Sequence, residues 1–156
     1  MTIAATKQFC TFFVGGHYFG VPVLDVQEAI RYQEMTSVPL SSSVVSGLIN
    51  LRGQIVVAFD LRRRLELPPR SDGAKPMNVV VRHLDGVVSL LVDEIDDVVE
   101  TDEVTFEPAP ATLKGVAREV ILGAYKLKNR LLLVLDIEKV LSIEAITSGD
   151  GDDNAS

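Results

Sequence analysis

A chain of 156 residues, 47% of them apolar, holds enough material for a core of its own, and 15 basic against 22 acidic side chains leave a net charge of −7. That field repels phosphate backbones and anionic lipid surfaces, which excludes nonspecific nucleic-acid binding. A single cysteine, Cys10, rules out an internal disulfide, and with only His17 and His83 beside it there is little to build a soft metal site.

Along the chain, Met1–Gln8 lacks the basic start and apolar stretch of a signal peptide. No apolar run approaches the ~20 residues of a membrane-spanning helix. The expectation is a soluble cytoplasmic protein without membrane insertion. Phe9–Val14, Gly15-Gly16 and His17–Val23 read as a β-hairpin whose glycines supply positive φ. A second hairpin turns at Arg52-Gly53, and Asp60 then stands as N-cap of a short helical segment, Leu61–Leu65. Glu66–Pro76 is a connector by its Pro, Gly and Ser content. Asn78–Leu84, Asp85-Gly86 and Val87–Val92 repeat the first hairpin, Lys128-Asn129 repeats the second turn, and Asp136 repeats the cap before Ile137–Ile143. In the turn, Asn129 stands for Gly53 as the other residue that readily tolerates a left-handed backbone. Ser148–Ser156 has almost nothing to bury and reads as a disordered acidic tail.

These elements recur because the chain repeats itself. At an offset of 76, Gly47–Leu65 falls on Gly123–Leu141 without a gap and with four identical positions. At an offset of 69, Glu34, Thr36 and Pro39 fall on Glu103, Thr105 and Pro108, so seven extra residues separate Pro108 from Gly123. Residues 8–65 and 77–141 are therefore expected to be two copies of one unit, each of about 60 residues and able to enclose a small core. Twenty-two valines favour strands. Short strands, tight turns and little helix predict a mainly β protein: two small five-stranded barrels of like topology, packed together. The two halves differ in charge, with 8 basic and 6 acidic residues in 1–76 against 7 and 16 in 77–156, part of the excess in the tail, so they are expected to face different surroundings.

Catalytic chemistry is not in view. Asp93, Glu94, Asp96 and Asp97 alternate in direction on a strand and read as a solvated edge, not a metal site. Asp60 and Asp136 read as helix caps in place of an acid pair, and His17 and His83 have no nucleophile at local spacing. Cys10 reads as a small core residue, and Arg62–Arg64 as the exposed face of a short helix. Phosphate-cradling glycine motifs are absent. No catalytic, metal or cofactor-binding residue is assigned. Arg52 is either a solvated turn residue or an anchor that uses its planar fork of donors.

Gly47-Leu48-Ile49-Asn50-Leu51-Arg52-Gly53, followed by Ile55-Val56-Val57 and Asp60-Leu61-Arg62, resembles the CheW family of chemotaxis coupling proteins. The wider order agrees: Tyr18-Phe19-Gly20-Val21-Pro22-Val23, Val26-Gln27-Glu28, Val38-Pro39, Val92-Asp93, Pro108 and Leu135-Asp136-Ile137, over about residues 8–143. The resemblance implies two SH3-like five-stranded barrels and a non-catalytic scaffold. Such a scaffold would connect the cytoplasmic tip of methyl-accepting chemoreceptors to the regulatory domain of the histidine kinase CheA, in the cytoplasm at membrane receptor arrays. The resemblance also implies receptor contact at Val26, Glu28, Gly47 and Arg52, with Glu28 paired to Arg52, and kinase contact on the second barrel around Ser89, Ile95 and Gly123. The chain departs from the family at Ser89, where glycine is common, and at Glu107, where a basic residue can precede the proline. Two other readings stand beside this one. The first is a coupling protein of a non-flagellar chemosensory pathway serving surface motility or development. The second is a stand-alone ligand- or nucleic-acid-binding double barrel, against which the acidity and the lack of aromatic stacking strips argue.

Overall fold

The computed structural model describes residues 6–39, 42–102 and 106–142. The expectations at Glu103, Thr105, Ile143 and the tail 148–156 lie outside them. In chain order the strands are β1 (Thr6–Val14), β2 (His17–Pro22), β3 (Val26–Ile30), β4 (Val45–Leu51), β5 (Gln54–Asp60), β6 (Met77–His83), β7 (Gly86–Val92), β8 (Glu94–Ile95), β9 (Val99–Asp102), β10 (Phe106–Glu107), β11 (Ile121–Lys126) and β12 (Leu131–Leu135). A 3-10 turn, Val23–Asp25, joins β2 to β3, and the helices are short: α1 (Leu61–Arg64), α2 (Gly115–Val120) and α3 (Ile137–Leu141). The molecule is mainly β, in two sheets, as expected.

The first sheet runs β3-β6-β7-β5-β4; the second runs β10-β11-β12-β2-β1, with β8 and β9 both on the far side of β1. The two orders are the same path through the repeat, including one parallel pair in each, β5 with β7 and β12 with β2. The sheets, however, divide the chain elsewhere than at 8–65 and 77–141. Each copy lends its opening hairpin to the other copy's sheet, so the first sheet is built from 26–92 and the second from 6–22 together with 94–135. The parallel partner of each opening hairpin is the closing strand of the other copy, and that pairing is what carries the hairpin across.

Local chemistry explains the elements. Gly15 and Gly16 have φ of 59° and 82° in the first tight turn. The matching turn is Leu84-Asp85, one residue before the expected Asp85-Gly86, because β6 and β7 pair His83 with Gly86. A one-residue slip would turn every β7 side chain to the wrong face. Arg52 and Gly53 both lie in the left-handed region, at 51° and 90°. Lys128-Asn129 is a turn where expected, closed by the Leu127 N–H on the Arg130 carbonyl at 2.8 Å, but neither residue is left-handed. Both predicted caps are present, Asp60 accepting from the Arg62 N–H at 3.0 Å and Asp136 from the Lys139 N–H at 3.3 Å.

Three cores follow from strand alternation. Ile49, Leu51, Val56, Ala58, Val80 and Leu91 fill the inner face of the first sheet. Their counterparts, Phe9, Tyr18, Tyr125, Leu132 and Val134, fill the second. The opposite faces meet in a larger shared core that includes Phe12, Phe19, Phe59, Val81, Leu90, Leu133 and Leu135. Cys10 is half-buried against it, and burial raises its thiol pKa.

Candidate functional site

Cross-strand registers place one apolar residue from every strand of the first sheet in a single row: Val26 opposite Val81, Val81 opposite Val88, Val88 opposite Val57, and Val57 opposite Leu48. Directly opposed residues share a face, so the row is continuous. It begins in the shared core at Val81 and emerges at Val57, which is 37% exposed, with Ile55 beyond it at 61%. The second sheet has the same row at the repeat-equivalent positions: Ile95, Phe12, Phe19, Leu133 and Ala124. There it is covered, with Leu133 only 5% exposed and Ala124 1%. Leu113, Val116 and Ala117, from the stretch that holds the seven extra residues, pack on the same shared core. In the first sheet, Val57 and Leu48 at the equivalent positions are not part of that core.

Arg52 and Glu28 stand at the end of the open row. β3 and β4 are the two edges of the first sheet, yet the Arg52 guanidinium at the β4–β5 tip donates to the Glu28 carboxylate on β3. The sheet therefore closes on itself at this pair. The hydrogen bond from Arg52, then that from Gln27, holds the Glu28 carboxyl below the usual range, and the same bond raises the Arg52 pKa. In the second sheet, Lys128 occupies the equivalent place without a carboxylate partner among the described residues. Closure passes instead to Arg130, which stands 3.8 Å from Asp96 and stacks on Tyr18 and Phe13 at 4.4 and 5.5 Å. Tyr18 donates to Asp96 at 3.0 Å, so this pair is tucked against aromatic rings where Arg52 is open to solvent.

Gly47 and Gly123 have a shared steric reason. A Cβ on Gly47 would lie 2.6 Å from the Thr36 carbonyl oxygen, and one on Gly123 would lie 2.6 Å from the Glu107 carbonyl oxygen and strike the Phe106 ring. Each sits beside a β-bulge where a neighbouring strand crosses closely. Neither offers a side chain; around Gly123 the exposed apolar atoms belong to Leu122 and Phe106. Val26 and Ile95 are half-buried on the shared core. Ser89 is fully buried, its hydroxyl donating to Asn78 Oδ1 at 2.7 Å, and it lies in the sheet of Val26, Glu28, Gly47 and Arg52, apart from Ile95 and Gly123. Its hydroxyl is not presented at the surface.

Two expectations about charge are corrected. Asp93 is not a solvated edge carboxylate: it accepts the Gly15 N–H at 2.7 Å and both Arg62 Nε and Nη2, at 2.9 and 2.7 Å, and it is ion-paired with Arg70, whose buried Nε stands 3.1 Å away without a hydrogen-bond partner. Burial pushes its pKa up, but the bonds from Arg62 and Gly15 and the charges of Arg62 and Arg70 outweigh that, and the net displacement is downward. Nor are the arginines of α1 a free face. Arg62 is committed to Asp93, Arg63 donates to the Ser43 carbonyl at 2.8 Å, and Arg64 donates to the Val140 and Lys139 carbonyls of α3, both at 2.7 Å. The charge run was legible in the sequence; its partners, Asp93, the Ser43 carbonyl and the α3 carbonyls, all distant along the chain, were not. The open row had a signal as well, in the apolar alternation Leu48, Ile55 and Val57. Among the described residues no group of three or more His, Cys, Asp or Glu is placed to hold a metal.

A family model described as the CheW-like domain matches residues 8–145. The chain is similar to the chemotaxis protein CheW of Klebsiella aerogenes, 31% identical over 92% of this chain and 87% of that one. It is similar to the chemotaxis protein CheW of Bacillus subtilis, 31% identical over 94% of each. The crystal structure of the scaffolding protein TtCheW from Thermoanaerobacter tengcongensis shares the fold, with a TM-score of 0.79 at 24% identity over 89% of this chain and 94% of that one.

Proposed function

The chain belongs to the CheW-like domain family of chemotaxis coupling adaptors, and we propose that its open row receives the helical cytoplasmic tip of a methyl-accepting chemoreceptor. The second sheet meets the regulatory domain of the histidine kinase CheA. The observation that carries the receptor assignment is the contrast between two equivalent rows: one is buried at Leu133 and Ala124 in the shared core, and the other opens at Val57 and Ile55 beside an outward-facing arginine. A helix that presents aliphatic residues three and four apart fits such a floor. Val26, Leu48, Ile55 and Val57 supply the apolar contact; Arg52, held by Glu28, sets orientation with its planar donors. Gly47 keeps the β-bulge in place beneath them. On the kinase side, Ile95 anchors the strand and Leu122 and Phe106, flanking Gly123, supply the exposed surface. Ser89 acts only from inside its sheet.

The adaptor works without turnover of its own, in the cytoplasm at receptor arrays. No helix among the described residues is long and apolar enough to cross a membrane, in keeping with recruitment by partners. Binding of a receptor cytoplasmic fragment and of the kinase, measured separately, tests the assignment. Val57→Asp is expected to lose receptor binding by about 2 kcal/mol or more and keep the kinase, and Leu122→Asp to do the reverse. Equal losses for both partners from either variant would refute the division of faces.

A further inference from the structure

The chain passes between the sheets twice, at Val23–Asp25 and at Asp93. At the repeat offset of 69, Leu24 and Asp93 are the same position. The first crossing is simple: Leu24 is 86% exposed, and Arg82 holds the backbone through the Leu24 and Val26 carbonyls at 3.1 and 2.9 Å. The fold therefore makes this crossing without an ion cluster.

The second crossing has one. Asp93 binds the β1–β2 turn of the second sheet through the Gly15 N–H and binds α1 of the first sheet through Nε and Nη2 of Arg62, whose Nη1 donates to the Pro68 carbonyl. Arg70, brought back from the connector, sits between Asp93 and the cap Asp60, with Nη1 at 3.2 Å from Asp60 Oδ1, and also donates to the Leu91 carbonyl at 3.2 Å. The shared apolar core is non-directional and tolerates a change of angle between the sheets. A bidentate arginine–carboxylate pair does not, because its donors and acceptors are fixed in a plane.

We propose that Asp93, Arg62 and Arg70 are positioning residues that hold the angle between the two sheets, so that a receptor on one sheet acts on a kinase on the other. The inference rests on the adaptor reading above. None of the three is among the residues assigned to either partner, so they act through the geometry of the surfaces that are.

The test uses the full chain with Cys10→Ala and spin labels at two exposed positions, Ala29 on β3 and Lys126 on β11, in the presence and absence of Asp93→Asn or Arg70→Gln. Pulsed distance measurement is expected to give a broader or shifted distribution in either variant. In a reconstituted receptor–kinase complex at saturating adaptor, receptor-dependent kinase activity is expected to fall about fivefold or more. The separate affinities for receptor fragment and kinase should stay within roughly twofold, because residues remote from a contact act additively. An unchanged distance distribution would overturn the proposal. So would a loss of activity in step with either affinity or with the melting midpoint, which is what a merely structural role predicts. If Asp93→Asn does not fold, Arg70→Gln carries the same test from the connector. If the unsubstituted chain fails to join receptor and kinase, the adaptor reading fails, and the distance distributions of the free chain still decide whether the clasp sets the angle.

Discussion

The rows Val26–Val81–Val88–Val57–Leu48 and Ile95–Phe12–Phe19–Leu133–Ala124 occupy equivalent places in two sheets of the same strand order, yet one emerges into solvent and the other is buried. The strands are not the source of the difference. Hydrophobic alternation is similar in both, and so are the bulges at Gly47 and Gly123. What differs is the connection before the closing hairpin, which in the second copy is seven residues longer and includes α2. Of two equivalent apolar faces in a repeated unit, one is buried and the other reaches solvent.

Replacing the equivalent residues Leu133 and Val57 by Asp should break the comparison most sharply. Leu133→Asp is expected to cost about 4 kcal/mol or more by burying a carboxylate without a partner, and Val57→Asp about 1 kcal/mol or less as a solvent-facing strand substitution. Urea unfolding of both variants checks this, and similar losses would mean that the two rows are equally covered.

The glycines sharpen it next. Gly47→Ala and Gly123→Ala should each destabilise by about 1–3 kcal/mol through overpacking, Gly123 more because ring and carbonyl both obstruct the methyl group. Equal thermal shifts for the two would show that the Phe106 ring moves aside.

Acid separates the two crossings. The Asp93 carboxyl is held below its ordinary 3.8, so its contribution is complete above that pH and is lost as the pH falls through the lower folded value. The stability gap between the unsubstituted chain and Asp93→Asn is therefore expected to stay constant down to about pH 4 and close below it. A gap that closed at higher pH would place the carboxyl outside the clasp.

The smallest effect concerns the closing pairs. Arg130→Ala should lower stability by ~0.5–1 kcal/mol as its stacking on Tyr18 and Phe13 is lost. Arg52→Ala should leave the melting midpoint in place while abolishing receptor coupling, because an exposed pair contributes little to folding. A large fall in midpoint for Arg52→Ala would return that residue to a structural role.

Much of this was readable from residues alone because it is local. Gly15-Gly16 and Arg52-Gly53 announce turns by their backbone freedom, and Asp60 and Asp136 announce helix starts by their side-chain acceptors. At Lys128-Asn129 the turn is where the residues announce it but its backbone is not the one expected: Asn tolerates a left-handed conformation, yet the turn closed by Leu127 and Arg130 has none. Asp93 and Arg62–Arg64 were misread for a non-local reason. Charged residues near one another in sequence look solvated, and only the crossing of the chain between sheets brings Arg62, Arg70 and Asp93 within hydrogen-bond distance.

By itself the sequence determined the duplication, the hairpins, the caps, the mainly β character and the family, all of which follow from spacing and backbone preference within a few residues. Tertiary structure alone decided that each opening hairpin joins the other copy's sheet, that Ser89 faces inward to Asn78, and that one of two equivalent apolar rows stays open. The reason is physical. Alternation states which face of a strand is apolar, whereas burial depends on what lies across from that face, and here that is set by strands and a helix far away in the chain.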